Sequence, residues 1–168
     1  MGMSERTATD GLIPSPAAEE AQRRFRLVLA DDHPEVRAGI RQLLGLEFDV
    51  LAAVADGAAL VEAVAELKPD AVISDIQMPH VGGLEASAQI LQSGLCAAIV
   101  VLSVHPDLCL VTRALQSGIL AYVLKVDATE ELIPAVRAAL RGVPYLSRTI
   151  CDEHRGLAAF DSRSASRG

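Results

Sequence analysis

The feature that most constrains the fold of this chain is the alternation of short apolar runs with segments of helical periodicity. Each run is apolar nearly throughout, as expected for a strand that is buried on both faces. The five predicted strands are Phe25–Ala30, Val50–Ala55, Ala71–Ile73, Ala97–Leu102 and Ala121–Leu124. Strands that alternate with helices predict an α/β fold, with a parallel sheet between two layers of helices and right-handed crossovers.

The ends of the predicted helices carry recognisable capping residues. Gly94, Gly118 and Gly142 each follow a helical segment, where glycine accepts the left-handed conformation that ends a helix. Asp127, with Glu130 three residues later, predicts a capping box at the start of the last of these helices.

Composition divides the chain into three parts. Residues 1–23 contain Ser, Thr, Gly and Pro without periodicity and are predicted to form a disordered leader. Residues 24–143 contain all the predicted strands and form the predicted folded domain, and residues 144–168 are predicted to be a linker-like tail. A chain of 168 residues that is 51% hydrophobic can support one compact domain of this size.

Charge and apolar length exclude several classes of protein. The chain has 15 Lys and Arg against 22 Asp and Glu, and a net charge of −7 disfavours a whole-chain nucleic-acid binder. No apolar stretch, including the one that contains Ala97–Leu102, is long enough to span a bilayer, and no signal peptide is recognisable. Cys96, Cys109 and Cys151 are odd in number and form no CxxC motif, which favours reduced thiols and a cytoplasmic location.

Polar residues follow four of the predicted strands. Asp31 and Asp32 come after the first strand, Asp75 after the third, Ser103 after the fourth and Lys125 after the fifth. In a doubly wound sheet of the flavodoxin-like order 2-1-3-4-5, these strand ends are neighbours and ligands bind at that edge. Three carboxylates in one crevice repel one another, and a divalent cation that prefers oxygen ligands, such as Mg²⁺, resolves the repulsion. The sequence therefore predicts a metal site that a phosphoryl group completes.

The motifs around these positions resemble the signature of response-regulator receiver domains over residues 24–143. Five pieces occur in the order and on the elements that the resemblance requires, so that their combination is far more specific than any one of them. They are Asp31-Asp32-His33-Pro34, Asp75-Ile76-Gln77-Met78-Pro79, Gly82-Gly83-Leu84, Val101-Leu102-Ser103 and Tyr122-Val123-Leu124-Lys125.

The resemblance implies a role for each residue at the strand ends. Asp75 is implied as the phosphoacceptor, which a histidine kinase phosphorylates in a Mg²⁺-dependent reaction. Asp32 is implied as a direct metal ligand and Asp31 as a ligand through water, with Asp75 and the backbone carbonyl of Gln77 completing the protein ligands. Lys125 is implied to place its ammonium on a phosphoryl oxygen.

The resemblance also implies a switch. Ser103 is expected to donate its hydroxyl to the phosphoryl group, and Tyr122 to rotate into the space that Ser103 leaves, which changes the face made by the fourth helix, fifth strand and fifth helix. Gln77 and His105 occupy positions that tune the lifetime of the phosphoryl group. The apolar residues expected on the switching face are Leu108, Leu110, Val111, Ala135 and Ala139.

The LuxR-type subgroup is the one that the chain most resembles, through its DDHP opening, Val126 and Pro144-Tyr145-Leu146-Ser147. Such regulators usually continue into a DNA-binding helix-turn-helix domain, but only 21 residues follow Ser147. We therefore expect no DNA binding by this chain alone and no membrane association. The expected partners are a sensor histidine kinase and, in the output step, a second copy or a protein effector. The alternative is the receiver part of a DNA-binding transcriptional regulator.

A phosphatase of the haloacid-dehalogenase type is a remote alternative. Such phosphatases also form an aspartyl phosphate at a strand end with Mg²⁺, but they need an acid two residues after the nucleophile. That position is Gln77, which cannot act as a general acid. We therefore expect a signalling domain that is not an enzyme.

Overall fold

The computed structural model describes residues 23–153. The predicted disordered leader, apart from its last residue, and the part of the predicted tail beyond Glu153 lie outside these residues.

The centre of the fold is a parallel sheet of six strands in the order β2-β1-β3-β4-β5-β6. This confirms the predicted α/β fold and the predicted order of the first five strands. The strands are β1 (Arg26–Ala30), β2 (Asp49–Val54), β3 (Ala71–Asp75), β4 (Ala98–Ser103), β5 (Ala121–Leu124) and β6 (Tyr145–Leu146).

Helices cover both faces of the sheet. They are α1 (Pro34–Leu44), α2 (Gly57–Leu67), α3 (Gly83–Ser93), α4 (Leu108–Gln116), α5 (Ala128–Leu140) and α6 (Arg148–Glu153), with a 3₁₀ turn at Lys125–Asp127 before α5. Helices α1 and α5 pack on one face, and α2, α3, α4 and α6 pack on the other. Alternate strand residues supply the two cores, since Leu27 and Leu29 face one layer while Val28 and Ala30 face the other. Within residues 23–153 no helix combines the length and apolarity needed to cross a bilayer.

The segment after α5 differs from the predicted linker-like tail. Tyr145 and Leu146 pair in parallel with Ala121 and Tyr122 of β5, which adds a sixth strand to the predicted five. The following helix α6 places Ile150 in the core without solvent exposure. Residues 145–153 therefore belong to the folded domain. A two-residue strand and a helix of six residues are too short to show a periodic pattern in the sequence.

The three capping glycines adopt the predicted left-handed conformation, with φ of 70° at Gly94, 96° at Gly118 and 71° at Gly142. The capping box predicted at Asp127 is wrong, because the Asp127 side chain caps no helix amide. It accepts a hydrogen bond from the Thr149 hydroxyl instead, at 2.8 Å. A tertiary contact has taken the place of the local one.

Candidate functional site

The carboxyl ends of β1 and β3 bring Asp31 and Asp75 to the same edge of the sheet. Asp31 directly follows β1, and its backbone amide donates to the Val54 carbonyl at 3.1 Å. Asp75 is the last residue of β3 and stands in register with Leu102 of β4. Both positions are therefore fixed by the sheet and not by a mobile loop.

Lys125 connects the two carboxylates. Its Nζ atom lies 2.7 Å from Asp31 Oδ2 and 2.8 Å from Asp75 Oδ2. Asp31 is fully buried and Asp75 is 3% exposed, so both ion pairs form in a largely water-free environment. Charge pairs in such a place need good geometry to offset the cost of removing the charges from water.

Burial and charge act in opposite directions on the pKa values at this site. Burial raises the pKa of Asp75, and the hydrogen bonds from Lys125 and from the Gln77 amide only partly oppose this effect. Burial would lower the pKa of Lys125, but hydrogen bonds to Asp31 and Asp75 and their negative charges outweigh it and raise the pKa. The surroundings therefore favour the protonated ammonium of Lys125 and stabilise the negative charge of the Asp75 carboxylate incompletely.

Asp32 and His33 extend the acidic cluster toward solvent. The potential ligand atoms of Asp31, Asp32, His33 and Asp75 all lie within 4.8 Å of one another. The His33 Nδ1 atom lies 2.8 Å from Asp32 Oδ1, and the His33 amide donates to Asp31 Oδ1 at 2.9 Å. The His33 side chain does not cap α1, although His33 occupies the N-cap position.

The donor set suits Mg²⁺ chemically. Three carboxylates and the single ammonium of Lys125 leave two negative charges in the cluster, which is the charge that a divalent cation neutralises. Mg²⁺ prefers oxygen ligands, and the potential ligand atoms of this cluster lie within 4.8 Å of one another. Asp31, Asp32 and Asp75 therefore form an arrangement that fits the ion.

Gly83 allows the loop after β3 to return against the site. A Cβ atom at Gly83 would stand 1.8 Å from the Asp75 carbonyl oxygen and 2.8 Å from Ser74 Oγ. The Gly83 amide donates to the Ile76 carbonyl at 3.0 Å, which closes this loop. Gln77 lies within it, and its amide donates to Asp75 Oδ1 at 3.1 Å. A role of the Gln77 carbonyl as a metal ligand stays a prediction.

Ser103, His105 and Tyr122 form a second group beside the first. The Ser103 hydroxyl accepts from the His105 amide at 3.1 Å and donates to the His105 carbonyl at 3.2 Å. The Tyr122 hydroxyl donates to the same carbonyl at 3.2 Å, and its ring is fully buried. Tyr122 thus already occupies the inward position that we expected it to reach only when Ser103 moves.

The expected switching face is less apolar than predicted. Val111, Ala135 and Ala139 are buried, and of the five residues named for this face only Leu108 and Leu110 are partly exposed. Glu131 and Ser147 are two polar residues that we did not predict as part of the site, and both are buried and hydrogen-bonded across elements. Only their tertiary partners make them recognisable.

The fold, together with three carboxylates and a lysine at the switch-point edge of the sheet, defines the class: a receiver domain of a two-component response regulator. The chain belongs to the response regulator receiver domain family, whose model matches residues 27–137.

Relatives of known name support this assignment. The transcriptional regulatory protein DegU of Brevibacillus brevis is 33% identical over 151 residues, which cover 86% of this chain and 64% of that protein. A LuxR-family response regulator from Aurantimonas sp. SI85-9A1 has a crystal structure similar to this one, with a TM-score of 0.75 and 31% identity over 82% of this chain and 99% of that chain. The structure of the receiver domain of the putative response regulator NarL from Mycobacterium tuberculosis is also similar, with a TM-score of 0.68. It is 29% identical in sequence, and the match covers 71% of this chain and 98% of that chain. The chain spans 56 to 64% of the length of three curated relatives that it matches.

Proposed function

We propose that this domain is a phosphorylation switch in which a sensor histidine kinase phosphorylates Asp75 in a Mg²⁺-dependent reaction. The observation that carries the proposal is the Asp75 carboxylate, held at the end of β3 by Lys125 at 2.8 Å and grouped with Asp31 and Asp32. Burial raises the pKa of Asp75, and a carboxylate with little solvation is, when ionised, more reactive toward an electrophile.

The proposed transfer conserves atoms and electrons. A carboxylate oxygen of Asp75 attacks the phosphorus of a phosphohistidine, a P–O bond forms, and the P–N bond breaks with its electron pair returning to the imidazole. Attack of water on the aspartyl phosphate later releases inorganic phosphate and restores the carboxylate. The Gln77 amide donates to Asp75 Oδ1, which leaves Oδ2, now paired with Lys125, as an oxygen that can be freed for attack.

Asp31, Asp32 and Asp75 are the residues that would hold the metal ion, with the Gln77 carbonyl as the further ligand that the family resemblance implies. When bound, Mg²⁺ would withdraw negative charge from the phosphoryl oxygens as a Lewis acid. Lys125 would move its ammonium from the Asp75 oxygen to a phosphoryl oxygen and remain paired with Asp31. Asp31 thus positions Lys125 as well as contributing charge.

Ser103 would transmit the phosphorylation to the rest of the domain. Its hydroxyl has a single proton, which it gives to the His105 carbonyl in this structure. Donation to a phosphoryl oxygen therefore requires Ser103 to give up that bond, and the His105 carbonyl then keeps Tyr122 as its side-chain donor. We infer that the loop carrying His105 is what moves, while Tyr122 is already inside. His105 and Gln77 stay as the proposed residues that tune the phosphoryl lifetime.

A groove beside the site offers a place for the phosphodonor. It has a volume of about 480 Å³ and lies between α1 and the start of α5, with Lys125 in its wall. Val36 and Leu46 line it and are exposed, at 38% and 72%, and the neighbouring Val126 is 79% exposed. We infer that the histidine kinase, the proposed partner, docks an apolar surface here and presents its phosphohistidine to Asp75.

The receiver unit that we propose starts near residue 24 and includes Tyr145–Glu153, because these residues pack on the sheet. We propose a cytoplasmic location and a signalling role without turnover of a small-molecule substrate. The output partner is proposed to be a second copy or a protein effector. A role in transcription is attached to relatives such as DegU by name, and for this chain it is the alternative proposal.

Intact-mass measurement tests the proposal. The chain is incubated with Mg²⁺ and a small phosphodonor such as acetyl phosphate, and we expect wild type to gain the mass of one phosphoryl group. Asp75→Asn should gain none, whereas Asp49→Asn, which changes an exposed carboxylate on β2, should behave as wild type. Equal incorporation by wild type and Asp75→Asn would contradict the assignment.

A further inference from the structure

The segment Tyr145–Glu153, which we name the C-terminal strap, is bound to the part of the fold that carries Lys125. It consists of β6 and α6 and covers the outer edge of β5. Its apolar contacts come from Leu146 and Ile150, which join the same core cluster as Tyr122. Its polar contacts are the informative ones.

Ser147 attaches the strap to the backbone on both sides of Val123. Its amide donates to the Tyr122 carbonyl at 3.1 Å, and its hydroxyl accepts from the Leu124 amide at 3.2 Å. Ser147 is completely buried, so water cannot replace either bond without opening the strap. The two bonded positions are Tyr122 and the residue directly before Lys125.

Glu131 attaches the strap from the other side. It lies in the first turn of α5, is 8% exposed, and receives hydrogen bonds from the Tyr145 hydroxyl at 3.0 Å and the Arg148 amide at 2.9 Å. Both donors belong to the strap. A buried carboxylate is costly unless it is hydrogen-bonded, so its bonds to the strap favour the docked arrangement.

A third contact fixes the turn itself. The Thr149 hydroxyl donates to Asp127 Oδ1 at 2.8 Å, and Asp127 closes the 3₁₀ turn that begins at Lys125. Strap contacts therefore bracket Lys125, with Leu124 before it and Asp127 after it. These contacts hold the backbone on both sides of Lys125, whose Nζ atom lies 2.8 Å from Asp75 Oδ2.

We propose that the C-terminal strap, anchored by Glu131, positions Lys125 and Tyr122, so that strap docking and phosphoryl binding at Asp75 stabilise each other. This inference rests on the proposed function of Asp75. The coupling is expected to be favourable, because the docked strap holds Lys125 where a phosphoryl group on Asp75 needs a cation. The docked strap also holds Tyr122 in its buried position. Coupling between two binding events is reciprocal, so a phosphoryl group must in turn hold the strap. Glu131, Ser147 and Thr149 are positioning residues, since none of them contacts Asp75.

The experiment uses the 168-residue chain with Mg²⁺ and beryllofluoride, which mimics the phosphoryl group. Hydrogen exchange reports on the strap through the amides of Ser147 and Arg148, and calorimetry gives the affinity for beryllofluoride. In wild type we expect beryllofluoride to slow exchange at both amides. We expect Glu131→Ala to weaken beryllofluoride binding about tenfold and to abolish this protection.

Three further variants separate positioning from folding. Glu131→Gln keeps an oxygen acceptor of the same shape and should restore most of the affinity, while Glu130→Ala, at an exposed position in the same helical turn, should match wild type. Thr149→Val removes only the bond to Asp127 and should weaken beryllofluoride binding even if Glu131→Ala does not fold. Circular dichroism checks the fold of each variant.

The experiment distinguishes a failure of the strap proposal from a failure of the proposed function of Asp75. The positioning role is overturned if beryllofluoride does not change hydrogen exchange of the strap amides in wild type. It is also overturned if folded Glu131→Ala or Thr149→Val binds beryllofluoride with the affinity of wild type. Either result leaves the proposed function of Asp75 intact. If wild type binds no beryllofluoride at all, the proposed function fails, and this inference fails with it.

Discussion

Asp75 combines two properties that oppose each other, since it is buried and it must carry a negative charge to act as a nucleophile. Lys125 reduces the cost of that charge but does not remove it, and the pKa of Asp75 remains above its ordinary value. A group whose pKa is higher in the folded than in the unfolded chain favours folding while it is protonated, and this contribution is lost as the pH rises through the folded pKa. At neutral pH and without metal, the Asp75 charge therefore works against folding.

Asp75→Asn should consequently be at least as stable as wild type at pH 7 in the presence of a chelator. The amide fits the same space and removes the charge, while Lys125 keeps its pair with Asp31. At pH 7 the free energy of unfolding of Asp75→Asn should exceed that of wild type. We expect this difference to become smaller as the pH is lowered toward the usual range of Asp pKa values. Urea denaturation at a series of pH values measures it, and an excess that grows on acidification would contradict the account.

Metal binding should depend unequally on Asp31 and Asp32. Asp32 has the more exposed side chain, at 29%, and no cationic lysine partner, whereas Asp31 is occupied by Lys125 and the His33 amide. We expect Asp32→Ala to remove most of the Mg²⁺ affinity and Asp31→Ala to remove less but to destabilise the fold by leaving Lys125 less well paired. Calorimetry with Mg²⁺ checks the first claim. Tight binding that is independent of both residues would place the metal elsewhere.

The sequence was enough to predict which polar residues stand at the strand ends and meet at one edge of the sheet. It was not enough to predict the hydrogen-bond partners of the residues around them. The order of strands was enough to bring Asp31, Asp75 and Lys125 to one edge, because parallel strands end there together. The inward position of Tyr122 and the burial of Glu131 depend on β6 and α6. The sequence marked β6 only through the resemblance of Pro144-Tyr145-Leu146-Ser147 to the LuxR-type subgroup, which predicted neither the strand nor these contacts.

At the scale of elements, the site depends on the close approach of α3 to β3. Gly83 begins α3 against the Asp75 carbonyl, where a Cβ atom has no room and the obstructing atoms are mostly backbone. We expect Gly83→Ala to destabilise the domain by about 1–3 kcal/mol, as other overpacked sites do. Calorimetric melting measures this cost.

Gly39 in α1 is the matched control, since a Cβ atom there meets nothing within 4 Å. Gly39→Ala should stabilise the domain by up to about 1 kcal/mol, because alanine loses less backbone entropy than glycine in a helix. If both variants had the same stability, the close packing of Gly83 against Asp75 would not be the reason for the glycine.

The predicted limits of the first five strands lie close to the observed ones. The strand Ala121–Leu124 was predicted with the observed limits, and the other four were predicted within two residues at each end. Strong apolar runs bounded by polar residues made this possible. The strand β6 was missed because its two residues are only half-buried and take their place from pairing with β5.

At the scale of the whole molecule, the switching face offers fewer exposed apolar residues for an interface than we expected. Most of the apolar residues expected on the α4–β5–α5 face are buried, so an interface there would use Leu108 and Leu110 with the exposed Arg113. The net charge of −7 disfavours nucleic-acid binding by this chain, and we therefore propose a protein as the output partner. A small apolar patch with charged neighbours suits a weak, switchable contact.

We expect beryllofluoride with Mg²⁺ to shift the chain from monomer toward dimer in light scattering. Tyr122→Phe should weaken this shift several-fold, because it removes the bond to the His105 carbonyl, worth about 1 kcal/mol. The conservative variant is preferable to alanine, which would leave a cavity in the core. A molar mass that does not respond to beryllofluoride would contradict self-association as the output.

We propose that Asp75, and no other carboxylate of the cluster, receives the phosphoryl group. Reduction of the phosphorylated chain with borohydride converts an aspartyl phosphate to homoserine, which peptide mass spectrometry can locate. We predict homoserine at Asp75 alone, dependent on Mg²⁺ and on the phosphodonor. Homoserine at Asp31 or Asp32, or phosphate that remains on a histidine, would contradict the account.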